Sequence, residues 1–376
     1  MRILVAPDAV DPLDAVGVAE ALSRGWRRGA PHDDVVEVPL GDGGPGLLAA
    51  VRAVRGGRFH VVTVPGPSGA ATPAALLVLD EPGGPTVVVE AAQAVGLALL
   101  DGPTDPGWTS SRGLGVLLGA ALDLAPRRIL VGLGGCATHD AGSGLLAGLG
   151  LDAAVLSRGG AALGGVTGVD LVGLSGLRER LAGVALEVAV DVDVPLLGLG
   201  GASALLAPAL GATSAQELER GVGALVHAVG TVLGPGATRA LSAEPGAGAG
   251  GGLGFALALL GGTLRRGGAA VADLLGLAER VARADLLVTA TASLDPHTLH
   301  ASVLATVAGH GLDHGVPVVA VAGAVVSGRR EWAAAGLSGA YPLADGPSAL
   351  RAAPSAGELV RSLAARAERV ATTWSR

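Results

Sequence analysis

Short runs of Val, Leu and Ile alternate along most of this chain with alanine-rich stretches whose apolar residues recur at helical spacing. That alternation restricts the fold more than any single motif. Arg2–Ala6, Val35–Pro39, Thr86–Glu90, Arg128–Gly132, Ala185–Val190, Asp285–Thr289 and Val316–Val321 are expected strands. Leu13–Gly29, Gly113–Leu124, Ala215–Val232, Ala269–Arg283, His300–Gly309 and Gly357–Ala371 are expected helices. Strands separated by helices of about 10–15 residues build βαβ units, so a mostly parallel sheet in an α/β fold is predicted.

The length of 376 residues suggests two domains. Half of the residues are hydrophobic and only 16% are charged, which excludes disorder as the main state. The formal charge of −7 and the paucity of aromatics argue against a nucleic-acid platform, which needs a basic patch with interleaved rings. A small-molecule partner is expected instead. Val194–Gln216 and Gly246–Leu264 are uncharged, but Pro195, Pro208 and the glycine run break them. A membrane span needs about 20 predominantly apolar residues, so both read as buried loop and core, with no membrane partner. The single Cys136 cannot form an internal disulfide, and Met1–Val5 enters a strand-like run without a signal-peptide pattern. The cytoplasm is the expected compartment.

The sequence contains no lysine and no asparagine, so arginine carries all its side-chain cations apart from histidine. A Walker A loop and a Schiff-base site both need a lysine, and neither can be built here.

In open α/β sheets, ligands bind beyond the carboxyl ends of the strands. Those positions hold Asp8, the Gly41-Asp42-Gly43-Gly44 turn, Asp191 and Asp193, and Asp295 after the run ending at Thr289. Carboxylates there can bind Mg²⁺ or act as a general base, although any one Asp in such a place more often caps a helix or closes an Asx turn. The segment Gly132–Gly144 follows a strand, carries Gly134, Gly135, Thr138, His139 and Asp140, and precedes the apolar Leu145–Leu149 run. A strand, a glycine loop and a helix start form an anion cradle. Cys136 and His139 are a candidate nucleophile–base pair or metal ligands; the alternative is a small buried thiol and a cap-like histidine. A second glycine loop spans 246–254, including Gly248, Gly251 and Gly252, and reads either as a linker or as a ligand contact.

In this order, the segments resemble the type I glycerate kinase family, enzymes that phosphorylate glycerate with ATP. The resemblance rests on Ala6-Pro7-Asp8, Pro39–Gly44, Val89–Leu97, Gly134–Asp140, Asp191–Leu196, Gly211-Ala212-Thr213, Pro245–Gly254, Leu294-Asp295 and Val318–Gly323. It implies a Rossmann-like or flavodoxin-like parallel-sheet domain with a second α/β domain. We place the first at 1–65 plus 285–376 and the inserted domain at 66–284. It also implies ATP and Mg²⁺ as cofactors and glycerate or a similar hydroxy acid as substrate. Asp8, Asp42 and Asp295 would serve as catalytic groups and Asp191 and Asp193 as metal ligands. Gly43, Gly44, Gly134, Gly135, Thr138, His139, Asp140, Arg112, Gly248, Gly251 and Gly252 would contact substrate or nucleotide.

The departures from the family pattern fall on polar positions. Ala9 and Asp11 stand where the family has Ser and Lys, Pro45 replaces a Glu, His139 and Val194 replace Asn, and Ala209-Leu210 replaces Gln-Lys. The family's Thr-Gly-Glu-Gly-Arg-Leu-Asp becomes Thr289–Asp295, without the Glu and Arg, and its Gly-Lys becomes Ala301-Ser302. Phosphoryl transfer relies on cations around the moving group. Loss of one preorganised donor costs about 3 kcal/mol, or about 100-fold in rate. The expectation is therefore an eroded site with weak or no activity. The alternatives are a non-catalytic binding or regulatory paralogue with a protein partner, or a kinase for another hydroxy acid. Arg112, standing where the family has an aromatic, is either a compensating cation or a surface residue at a helix start.

Overall fold

The computed structural model describes residues 1–300, 302–343 and 354–375. Its strands are β1 (Arg2–Val5), β2 (Asp34–Glu37), β3 (Arg58–Pro65), β4 (Ala71–Leu79), β5 (Thr86–Glu90), β6 (Arg128–Gly132), β7 (Ala185–Val190), β8 (Thr263–Arg266), β9 (Leu286–Leu294), β10 (Val318–Val325) and β11 (Gly339–Pro342). They form two sheets in two compact units. One unit comprises 1–42, 49–56 and 267–376, and the other 43–48 and 57–266.

The first unit carries the order β11-β10-β9-β1-β2, with every pairing parallel. Its core is Ile3, Val5, Val18, Leu22, Trp26, Val288, Val319, Val321, Leu363 and Ala367, the inward faces of strands and helices. Helix Ala15–Gly29 starts where the Asp14 carboxylate accepts the Gly17 N–H at 2.8 Å, and it ends on Arg27 and Arg28, the charge order the helix dipole favours.

The helix expected over Ala269–Arg283 is two helices, Gly267–Leu274 and Leu277–Val281. Gly276 between them takes a left-handed φ of 63°, which ends the first. Both pack with the helix Val303–His314, so residues 267–284 lie with the first unit, where the sequence reading had placed them in the second. Ser302 caps that third helix, its side chain accepting from the Ala305 N–H. Ala301, the other half of the substituted Gly-Lys pair, lies outside the described residues.

The second unit has the order β3-β4-β5-β6-β7-β8. From β5 to β8 the strands are parallel, and β5, β6 and β7 have the bounds expected from sequence. The β3–β4–β5 edge is antiparallel and was not expected. β3 alternates exposed Phe59, Val61 and Thr63 with the more buried His60, Val62 and Val64, the pattern of a half-covered edge. β8 reads Thr-Leu-Arg-Arg and hides its signal, because Arg265 is matched by Glu187 on β7 at 2.9 Å. Among the described residues no helix is long and apolar enough to cross a membrane.

Candidate active site

In the first unit the chain leaves β1 with the Ala6 N–H donating to Val288 O and the Asp8 N–H donating to Ala290 O. Asp8 is thus fixed at the carboxyl end of β1, an interior strand between β9 and β2. The Leu40 N–H donates to Pro7 O at 3.0 Å and draws the turn bearing Asp42 alongside. Asp8 is half-buried. Burial first, and the Asp42 charge second, push its carboxyl up to about 7, against the opposing pull of the Ala9 N–H. Gly267 sits against Asp42 so closely that a Cβ there would lie 1.6 Å from the Asp42 carbonyl oxygen. Gly267 carried no signal in the sequence, yet only a residue without a side chain fits at that position.

Asp295 lies beyond β9 in a closed local turn. Its carboxylate accepts the Thr298 N–H at 2.9 Å, and that bond, the largest effect, holds its carboxyl below the usual range. This is the Asx-turn arrangement.

In the second unit, Asp191 and Asp193 follow β7 and are exposed. Arg266, ending β8 in register with Val190, donates to Asp193 at 3.0 Å. Sequence reasoning missed Arg266, which sits at a strand end of the kind where ligands bind. Arg112, the candidate compensating cation, is exposed on the first residue of helix Arg112–Asp123 and pairs with no carboxylate among the described residues.

Gly132–Gly144 and 246–254 are packed onto each other. The Ala141 N–H donates to Gly251 O at 3.0 Å, and a Cβ on Gly251 would lie 1.9 Å from Thr138 O. Gly250, Gly251 and Gly252 all take positive φ, at 60°, 68° and 95°, so the loop is a continuous left-handed segment that only glycine adopts without strain. Gly43 and Gly44 also serve close packing: Gly43 O accepts from the Gly134 N–H, and a Cβ on Gly134 would meet the Gly44 Cα. The Gly135 and Gly248 positions likewise abut Pro45 and Pro195 O. The Glu90 carboxylate accepts the Gly46 and Leu48 N–H groups at 3.2 and 3.1 Å, fixing the turn after Gly44.

Asp140 is fully buried. Its carboxylate accepts from the Ser111 N–H and hydroxyl at 2.8 and 2.9 Å and from the Gly142 and Gly144 N–H groups at 3.0 and 3.1 Å. Burial pushes this carboxyl up, and the four donors oppose the shift. Asp140 therefore organises its loop from within. His139 shares a hydrogen bond of 2.9 Å with Ser203, and burial pushes its imidazole down to about 4, which leaves it neutral. The Cys136 thiol donates to Leu133 O, and burial, with a smaller contribution from Asp191, pushes it up to about 12. The nucleophile–base pair considered from sequence is thus not formed: the thiol stays protonated, and the two side chains bond elsewhere.

For Mg²⁺, two exposed carboxylates at a strand end fit a cation that takes one or two protein carboxylates and completes its shell with water and phosphate. Among the described residues no group of three or more His, Cys, Asp or Glu assembles a fuller cage. For a phosphate chain the fit is partial. The Ala141, Gly142, Gly144 and Gly248 N–H groups are spent on protein acceptors. The buried Thr138 hydroxyl in the same loop has no hydrogen-bond partner among the described residues.

A sequence model of the glycerate kinase family matches residues 3–375. The chain is 34% identical to a glycerate kinase of Bacillus subtilis over 337 residues, covering 86% of this chain and 85% of the relative. It is 34% identical to the glycerate 2-kinase of Escherichia coli over 339 residues, 86% of each. A crystal structure assigned to glycerate kinase 2 from Salmonella typhimurium LT2 superimposes with a TM-score of 0.81 at 31% identity, covering 99% of this chain and 98% of that one. With its parallel sheets and strand-end aspartates, and with relatives aligned over most of their length, the chain belongs to the glycerate kinase family.

Proposed function

We propose that this chain is an ATP-dependent kinase of glycerate or a closely related hydroxy acid, slowed by the loss of polar groups around its phosphate-holding residues. The observation that carries this reading is Asp8, a carboxyl pushed up to about 7 by burial and by Asp42. A base that titrates near neutral pH suits removal of the proton from an acceptor hydroxyl. In the first unit Asp8 takes that proton, and Asp42 keeps the carboxyl poised by its like charge. In the second unit Asp191 and Asp193 would hold Mg²⁺, which would neutralise charge on the nucleotide phosphates when bound. Arg266 provides the guanidinium that the missing lysines do not, and the Thr138 hydroxyl is a further donor. The acceptor oxygen is proposed to be that on C2, following the name of the Escherichia coli relative.

A second reading, a binding protein without turnover, is favoured by the loop amides. The glycine loops satisfy their N–H groups on Asp140, Gly251 O and Val194 O, which leaves fewer donors for a phosphate chain.

Purified protein with Mg²⁺-ATP and D-glycerate, followed for ADP and for phosphoglycerate by NMR, separates the two. The kinase reading expects 2-phosphoglycerate, with ADP formation abolished in Asp8→Asn. Nucleotide binding without product in the wild type would replace it with the second reading.

A further inference from the structure

The first unit carries a concavity of about 420 Å³ at the opposite end of β1 from Asp8. Arg2, Arg55, Arg280 and Arg283 line it, together with Asp273 and Glu279. These arginines come from separate places in the chain. Arg2 opens β1, Arg55 ends the helix Leu47–Arg55, Arg280 lies in the helix Leu277–Val281, and Arg283 lies two residues beyond it. Four arginines thus line one concavity in a chain whose formal charge is −7.

Two of the guanidinium groups are held by backbone carbonyls. Arg55 Nη1 donates to Leu274 O at 2.5 Å, and Arg280 Nε donates to Leu275 O at 3.1 Å. These carbonyls lie at the end of the helix Gly267–Leu274, where orphan carbonyls and the dipole both attract cations. Arg2 has acidic neighbours: its backbone N–H donates to Asp285, and its guanidinium Nε lies 3.8 Å from Asp34. Arg280 and Arg283 differ. A guanidinium has five N–H donors. Arg280 spends one on protein, and Arg283, which is exposed, spends none on any described residue.

We propose that this arginine-lined concavity is a second ligand site, one that binds a small multivalent oxyanion through Arg280 and Arg283, with Arg55 and Arg2 behind them. Planar guanidinium groups pair with carboxylate or phosphate oxygens through two parallel bonds. Asp273 and Glu279 in the lining, with Asp34 and Asp285 beside Arg2, match the four arginines in formal charge, so recognition depends on that hydrogen-bond geometry and not on bulk potential. The ligand is a phosphorylated or a polycarboxylate small molecule. The site lies away from Asp8 and does not depend on the kinase reading.

Calorimetry on the full chain at low ionic strength, with inorganic phosphate and separately with citrate, tests this. At least one probe is expected to bind with one-to-one stoichiometry, and which one binds distinguishes phosphate from polycarboxylate recognition. The Arg280→Ala/Arg283→Ala double variant should weaken binding by about tenfold or more. Arg283→Gln alters an exposed side chain that bonds to no other described residue, and alone should weaken binding measurably with an unchanged unfolding midpoint. Arg266→Ala, in the candidate active site, should leave the affinity intact. Absence of binding by both probes, affinity unchanged in the double variant, or binding lost in Arg266→Ala would each overturn the proposal.

Discussion

Arg266 donates to the Asp193 carboxylate at 3.0 Å, joining the residue that ends β8 to the loop that leaves β7. Both side chains are about half exposed or more, and such pairs contribute about 0–1 kcal/mol to stability. Arg266→Ala should therefore shift the thermal midpoint little. On the proposed role for this guanidinium, the same change should lower kcat/KM for ATP by about 100-fold. Thermal unfolding and steady-state kinetics on one preparation check both halves.

Asp140 accepts four hydrogen bonds in a buried setting. In Asp140→Asn one oxygen becomes an NH₂ facing N–H donors, so the loss should be about 3 kcal/mol of folding stability. Chemical denaturation measures it. An unchanged midpoint would contradict the structural role assigned to this carboxylate.

Gly267→Ala introduces a Cβ 1.6 Å from the Asp42 carbonyl oxygen. Backbone must move, at a cost of about 1–3 kcal/mol. Because Asp42 moves with it, turnover measured well below the midpoint should fall by more than the remaining folded fraction explains.

His139 is buried neutral, pushed down to about 4 from an ordinary 6.5. Between those values the unfolded chain takes up a proton that the native imidazole refuses, so stability falls as pH drops from 6.5 towards 4. The full loss is on the order of 3 kcal/mol. His139→Asn removes the titrating ring. It should be less stable than wild type at pH 7, through loss of packing and of the Ser203 bond, and the gap should narrow on acidification. Thermal midpoints at neutral and acid pH read this directly.

What the sequence made legible was the local physics. β5, β6 and β7 are mainly apolar runs paired in parallel within the second sheet, and Asp14 before Ala15–Gly29 is an ordinary helix start. The strand-end rule led directly to Asp8 and Asp42. What stayed hidden was settled by distant partners. Asp140 looked like a ligand residue because nothing nearby in sequence announces that Ser111 will fill its oxygens. Arg265 and Arg266 masked β8, since the neutralising Glu187 lies on another strand. His139 and Cys136 suggested reactivity through adjacency, whereas burial and their separate partners make both inert. Gly267 is one of 63 glycines, and only the packing at Asp42 sets it apart.

The proposed role of Asp8 as the base is tested most directly by the pH dependence of kcat/KM for glycerate. The account predicts a rate that falls as pH drops below about 7, because protonated Asp8 cannot accept the hydroxyl proton. The break should move to lower pH in Asp42→Asn, where the like charge is gone, and Asp8→Asn should show no turnover. A wild-type profile flat through neutral pH, or an Asp8→Asn variant as fast as wild type, would contradict it.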